Sequence, residues 1–563
     1  MRRLFAWIGA ACALVLFGAA APNARVDYTL TPLLRDGALE AIQVDLRFRA
    51  GAGTATQLKL PNTWAGETDL WRVVQDLEVV SGGEIVAGDS PWLRDVRHRP
   101  NARLHVRYRI VQDFEGEPMP TEQGNPYRPI VQPTYFQFIG NTALVEPALE
   151  DMSAPVRIRT RNLPRGWSFA SDLQHDIANL DRVGQSVTVG GDFRVLHAAD
   201  RNIRVAIRGE WNFKDADFVA SVDDIIAGQR RFWGDPSTPY LVTVVQLTPP
   251  SPGHVSIGGT GLEDAFAFFA TANGDPDGIL RTLAHEAMHT WIPGRLGGLA
   301  EEDEALGYWF SEGFTEFYTA RLLVREGAWG PEAFAANLNQ VLAAYAQSPA
   351  VTEPNSRILA DFWNDSAVKD LPYQRGRLLA LLWDARLRAR GRDMDDVMFA
   401  LRDRARTETA ARGPAVFAEV AAAHGLDVSA DMETHVERGA LILLPADALA
   451  PCGAIVTQTL PRFHRGFDIQ ATQANDNVIT GVNPRGPAYA AGMRDGMVLL
   501  RRDAGEIGDA TQEIAYVVRD GERERTIRYM PVGEGAYQLQ RFDLASPLEG
   551  EDRARCIAVL GGG

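Results

Sequence analysis

Positive charge is in short supply in this chain. Across 563 residues, 57 lysines and arginines stand against 73 aspartates and glutamates, a net charge of −16. Nothing in that balance would offset phosphate repulsion, which argues against nucleic acid as a partner. Long apolar runs are missing beyond the N-terminus. No later stretch reaches the roughly 18 residues that a transmembrane helix needs. Cysteine is scarcer still, with three in all, and Cys12 falls inside an N-terminal apolar run. If that run is removed, Cys452 and Cys556 remain, and an even count in an oxidising compartment suggests one disulfide. It would close a loop of about 100 residues, worth roughly 4–5 kcal/mol in the chain-entropy model. Two buried, unpaired thiols are the alternative. Low-complexity segments and internal repeats are also absent.

What is present describes an ordinary globular protein, 45% hydrophobic and 23% charged, long enough for three or so domains. Residues 1–21 read as a signal peptide: Arg2 and Arg3, an apolar run from Leu4 to Phe17, then Ala19–Ala21 before Pro22. The protein is therefore expected to be exported, periplasmic or secreted. Ala-Ala-Cys at Cys12 leaves a lipid-anchored reading open. From about Val26 to Arg208 the hydrophobic pattern has period two, as in Ile42, Val44, Leu46 and Phe48, which predicts an all-β domain of sandwich type over 24–201. Arg103, His105, Arg107 and Arg109 share one strand face, either a basic patch or a solvated surface.

The chemistry concentrates between Leu283 and Glu316. HEAMH (His285–His289) places two imidazoles one helical turn apart on the same face, with Glu286 beside them. Two neutral nitrogens, a nearby carboxylate and one open position are what a catalytic zinc requires. Composition alone would produce an HExxH in roughly 1 such chain in 100, so the flanks matter. Asp275-Pro276 reads as an N-cap with proline at the first helical position, Ile279, Leu280, Leu283 and Ala287 give an apolar side, and Pro293-Gly294 ends the helix. The candidate third ligand is Glu312, at 312 − 289 = 23 positions after the second histidine. Glu316, one turn on, could hold a ligand histidine by its other ring nitrogen. The alternative, a solvated helix face, sits poorly with Trp309, Phe310, Phe314, Phe317 and Tyr318 around it.

HEAMHTWIPGRLGG followed by YWFSEGFTEFYTARLL resembles the glycyl aminopeptidase family of PDZ-containing zinc peptidases, within the thermolysin-like group whose third ligand is glutamate. The resemblance is strongest from about Tyr240 to Leu387. It implies His285, His289 and Glu312 as ligands of one Zn2+ per chain, and Glu286 as the base. Strands Ile203–Ile207 and Tyr240–Leu247 around a helix at about 216–230 lead to Gly258-Gly259-Thr260-Gly261-Leu262-Glu263-Asp264. Glycines such as Gly261 allow close backbone approach, so a peptide could pair with the following strand, Ala265–Ala270, read as an edge. The family's matching stretch is a GGLEH-like motif in which Glu263 would hold a substrate α-amine. Asp264 stands where the family usually has histidine, and a purely structural Glu263 stays open.

Beyond about residue 328 the chain turns helical. Tyr373-Gln374-Arg375-Gly376, read at the head of a helix, resembles the Tyr-x-Lys/Arg-Gly pattern of related enzymes. There the phenol donates to the developing oxyanion; a packing tyrosine is the alternative. From about Leu460 strands return, and Gly486-Pro487-Ala488 with Gly492-Met493-Arg494-Asp495-Gly496-Met497 resembles a PDZ domain. Gly466 and Phe467 would lie in its loop for a peptide C-terminus. The expected architecture is thus an N-terminal all-β domain, a thermolysin-like α+β catalytic domain with an all-α subdomain (202–445), and a C-terminal PDZ-like β domain (446–563). The function expected is zinc-dependent removal of N-terminal residues from peptides, small ones such as Gly or Ala by the family's name. Two alternatives remain: a zinc endopeptidase with Glu263 structural, and a non-catalytic peptide-binding scaffold.

Overall fold

In the computed structural model, which describes residues 25–121, 124–175, 178–300, 302–408 and 412–562, the period-two runs form sheets. The N-terminal segment with Arg2, Arg3 and Cys12 lies outside the described residues. One five-stranded sheet runs Val156–Thr160, Val26–Arg35, Ala38–Arg49, Arg103–Ile110, Val74–Ser81. Its register sets Leu46 against Val106 and Val44 against Tyr108, so one face is a continuous apolar core. Two four-stranded sheets accompany it. On the outer face the arginine stripe is mostly paired. Asp45 accepts from His105 at 2.5 Å and from Arg107 at 2.8 Å, Arg109 meets Asp76, and Arg103 is exposed. Most of this stripe is therefore neutralised surface.

A buried acid in this part gives a test of the packing. Asp172 accepts from the Val187 N–H at 2.7 Å, and burial pushes its carboxyl up to about 7. An acid whose folded value lies above its unfolded value keeps its full contribution at low pH. It loses that contribution as pH rises from about 4 through about 7, up to roughly 4 kcal/mol. Asp172→Asn should therefore unfold at nearly the same urea concentration as wild type at pH 4.5, and at a higher one at pH 8. Equal midpoints at pH 8 would refute the assignment.

The next sheet has the order Arg194–His197, Ile203–Arg208, Tyr240–Leu247, Ala265–Thr271, Ile257–Gly261. Tyr240–Leu247 and Ala265–Thr271 are apolar runs buried along almost their whole length, as expected of interior strands. This corrects the edge assignment. Ala265–Thr271 has a partner on each side, and the edge belongs to Ile257–Gly261, because the glycine-bearing segment itself pairs antiparallel.

By contacts the chain divides into two units. One holds residues up to Asp223 with Ser237–Leu283, and the other Asp224–Pro236 with everything from Ala284 on. The second unit is built on helices: Tyr308–Arg325, Pro331–Gln347, Asn355–Asp361, Ser366–Arg388, Met394–Thr407 and Gly413–Ala423. Trp309, Phe310, Phe314, Trp383 and Phe417 pack ring against ring in its core. The helix expected to start at Tyr373 starts at Ser366, where the Asp365 carboxylate accepts from the N–H groups of Ala367 and Val368. Pro372 lies inside it. Burial of Val368 and Leu371 outweighs the hydrogen bond that proline forfeits.

Later in this unit, Val498–Ala504, Ile514–Asp520 and Arg523–Tyr529 form a three-stranded sheet. Gly453–Phe463 pairs with Val532–Leu544. With short helices Ile469–Ala474 and Pro487–Ala490, the sheet encloses a separate core that includes Phe467, Ile479, Met493 and Ile514. Although strands were expected from about Leu460, Val478–Val482 makes isolated bridges, Val478 to Val498 and Thr480 to Asp468. Near the C-terminus a helix, Gly550–Gly561, packs on Tyr308–Arg325. A disulfide joins Cys452 to Cys556 with Cα atoms 4.7 Å apart. No described helix is long and apolar enough to cross a membrane.

Candidate metal and catalytic centre

The histidine helix, Pro276–Met288, begins as its sequence dictates, with Asp275 accepting from the Gly278 N–H at 3.1 Å and Pro276 following the cap. It ends at Met288, before the expected Pro293-Gly294, so His289 sits on the first residue of the turn that follows. The glutamate helix, Tyr308–Arg325, supplies Glu312. Each histidine Nε2 lies 3.4 Å from the same oxygen, Oε2 of Glu312, and the three donor atoms fall within 4.8 Å of one another. Zinc bonds of about 2.0–2.1 Å at tetrahedral angles would put neighbouring donor atoms about 3.3 Å apart. The donor set and its spacing therefore fit a zinc ion.

Both rings are held by their other nitrogen. His289 Nδ1 donates to the Ile292 carbonyl at 2.9 Å. His285 Nδ1 lies 3.0 Å from Oε1 of Glu316, a close charge contact without an aligned hydrogen bond. With Nδ1 engaged in each case, Nε2 is the atom left to a metal. Burial lowers His285, but Glu312 and Glu316 outweigh it and raise it to about 10. Burial alone would raise Glu312, yet the two imidazoles hold it well below the usual carboxylate range. A divalent cation held by both Nε2 atoms and Glu312 would take the place of the protons that these carboxylates otherwise draw onto the imidazoles.

Glu286 is half-buried, and its charge reaches His285, His289 and Tyr373. The Tyr373 ring stacks 5.9 Å from the His285 ring. Burial, then the carboxylates of Glu312 and Glu286, push its phenol far above the ordinary range, so the hydroxyl keeps its proton and remains a donor. Of the residues singled out from sequence, His285, His289, Glu286, Glu312, Glu316 and Tyr373 thus come together.

The remaining residues have partners of their own. Gly261 ends the edge strand, and Glu263 and the buried Asp264 both pair with Arg182, Glu263 at 2.8 Å. Arg182 had no signal in the sequence, being distant along the chain and isolated from any motif. Gly466 adopts φ of 85° and has no room for a Cβ beside Ala488, and its N–H donates to His464 Nδ1 at 3.0 Å. Phe467 is buried in the core of its sheet.

Arg377 was also missed. Fully buried, it reaches Glu316 with Nη1 at 3.4 Å. A signal existed: Arg377 follows Tyr373 by four residues, as Glu316 follows Glu312.

Residues 278–358 match the sequence profile of the M61 glycyl aminopeptidase family. Among curated proteins there is no match. An aminopeptidase N family protein from Idiomarina loihiensis superposes with a TM-score of 0.67 at 15% identity, over 95% of this chain and 100% of that one. At that identity it establishes an aminopeptidase-like fold and nothing further. An M1 zinc metallopeptidase from Deinococcus radiodurans is more distant, with a TM-score of 0.46 and 16% identity over 75% of this chain and 95% of its own.

Proposed function

Starting from a zinc peptidase hydrolase that carries the M61 glycyl aminopeptidase match, we propose an exported aminopeptidase that removes N-terminal residues, small ones such as Gly or Ala, from peptides. The observation that carries this is the pair of Nε2 atoms, each 3.4 Å from one oxygen of Glu312. His285, His289 and Glu312 would hold one zinc. When bound, the ion supplies Lewis acidity toward a water and the scissile carbonyl. Glu286 accepts a proton from the attacking water at its carboxylate and passes it to the leaving amine. Tyr373 donates its hydroxyl to the oxygen on which negative charge develops.

Glu263 is proposed to receive the substrate's α-amine, with Gly261 lending backbone to the peptide. We place the β domain at 24–201, a thermolysin-like catalytic domain at 202–445 and a PDZ-like domain at 446–563. The loop at Gly466 and Phe467 is its proposed site for a peptide C-terminus. Export rests on the N-terminal charge and apolar pattern.

One observation favours a second reading. Glu263 is already engaged by Arg182 at 2.8 Å, and if that pair is permanent the enzyme is an endopeptidase. A peptide and its N-acetylated twin separate the two. The aminopeptidase should cleave the free-amine peptide and ignore the blocked one, with about one zinc per chain by metal analysis. Equal cleavage of both would establish the endopeptidase, and a protein free of zinc and turnover would revert to a scaffold.

A further inference from the structure

Two helices pack against each other beside the metal centre with matched spacing. On the glutamate helix, Glu312 and Glu316 are one turn apart. On the tyrosine helix, Ser366–Arg388, so are Tyr373 and Arg377. The Glu312 carboxylate acts on the Tyr373 phenol, and Glu316 lies 3.4 Å from Arg377. Between these rungs Gly313 and Gly376 meet so closely that a Cβ on either would overlap the other's backbone. The crossing is thus set by two glycines and leaves the rungs little slack.

Arg377 is 1% exposed and Glu316 9%. Burying such a pair costs several kcal/mol of desolvation, and apolar residues of like volume would often be at least as stable. Packing alone does not call for these charges. The outer oxygen of Glu316, Oε2, faces Arg377, while its inner oxygen, Oε1, faces His285 Nδ1 at 3.0 Å. A relay therefore runs from Arg377 through Glu316 to His285, whose opposite nitrogen faces Glu312.

We propose that Arg377 is a positioning residue of the metal centre: it fixes the Glu316 carboxylate so that His285 presents Nε2 to the ion. This rests on the zinc reading above. Without the guanidinium on Oε2 the Glu316 carboxylate is held less firmly against His285 Nδ1, and the orientation of His285 loosens with it.

Zinc affinity measured by chelator competition tests the relay, with melting of the metal-free proteins alongside. Arg377→Met should weaken zinc binding about 10- to 100-fold. Arg377→Lys, which keeps the charge, should recover part of the loss. In a Glu316→Gln background, Arg377→Met should change affinity no further, since the relay is already cut. Overturning results are an unchanged zinc affinity in Arg377→Met, or an equal loss in both backgrounds. If the single variant fails to fold, the comparison of Glu316→Gln with the double variant decides. Failure of that neutral double variant to fold would show that Arg377 supports the fold on its own account, which also overturns the relay. A wild-type protein that takes up no zinc is a different outcome, because it removes the peptidase assignment itself.

Discussion

Glu286→Gln is expected to lower turnover about 10²- to 10⁴-fold while leaving zinc bound. The two side chains have nearly the same shape, and Glu286 is not among the three residues whose donor atoms converge. What the substitution removes is the capacity to accept a proton. Its charge also bears on His285, His289 and Tyr373, and the role proposed for it is to take the proton of a water attacking beside the metal. Metal analysis and steady-state kinetics on the same preparation check both halves. Full zinc with wild-type turnover would take the base role from Glu286. Lost zinc would mean that it acts on the ligands instead.

The second large effect is expected from a residue that touches no substrate. In Gly376→Ala the added methyl would overlap the Trp309 carbonyl oxygen, which is main chain and has no rotamer to yield. The helices must separate, at a cost on the order of 3 kcal/mol. Tyr373 and Arg377 move with the displaced helix, and a 1 Å misplacement of a catalytic group can cost about 10²-fold in rate. Urea unfolding should therefore show a lower midpoint, and kcat measured well below that midpoint should fall as well. A variant with wild-type midpoint and kcat would mean that the crossing carries no strain.

The core of the site could be read before the fold was known, because helical geometry is local. His289 follows His285, and Glu316 follows Glu312, by four positions, and that spacing alone puts each pair on one face. The cap at Asp275 and the strand character of Tyr240–Leu247 and Ala265–Ala270 were legible because capping and β pattern are local as well. Features that depend on distant partners were not. Whether Ala265–Thr271 is an edge depends on which strand lies beyond it, and Ile257–Gly261 was hidden by its glycines. Tyr373 read as the head of a helix, yet Asp365 supplies the cap upstream and the helix carries Pro372 inside it. Arg182 had no motif around it, since an ion pair across 82 positions to Asp264 leaves no periodic trace, and Arg377 left only its four-position offset from Tyr373.

The two imidazoles differ in how they can be lost. His289 leans on the carbonyl of Ile292, a main-chain atom that every residue type provides, so no codon change at position 292 can delete the acceptor. His285 leans on a carboxylate that is itself held by a guanidinium, and single-base changes can erase either one. Inherited damage to this centre from outside its ligand set should therefore gather on the His285 side.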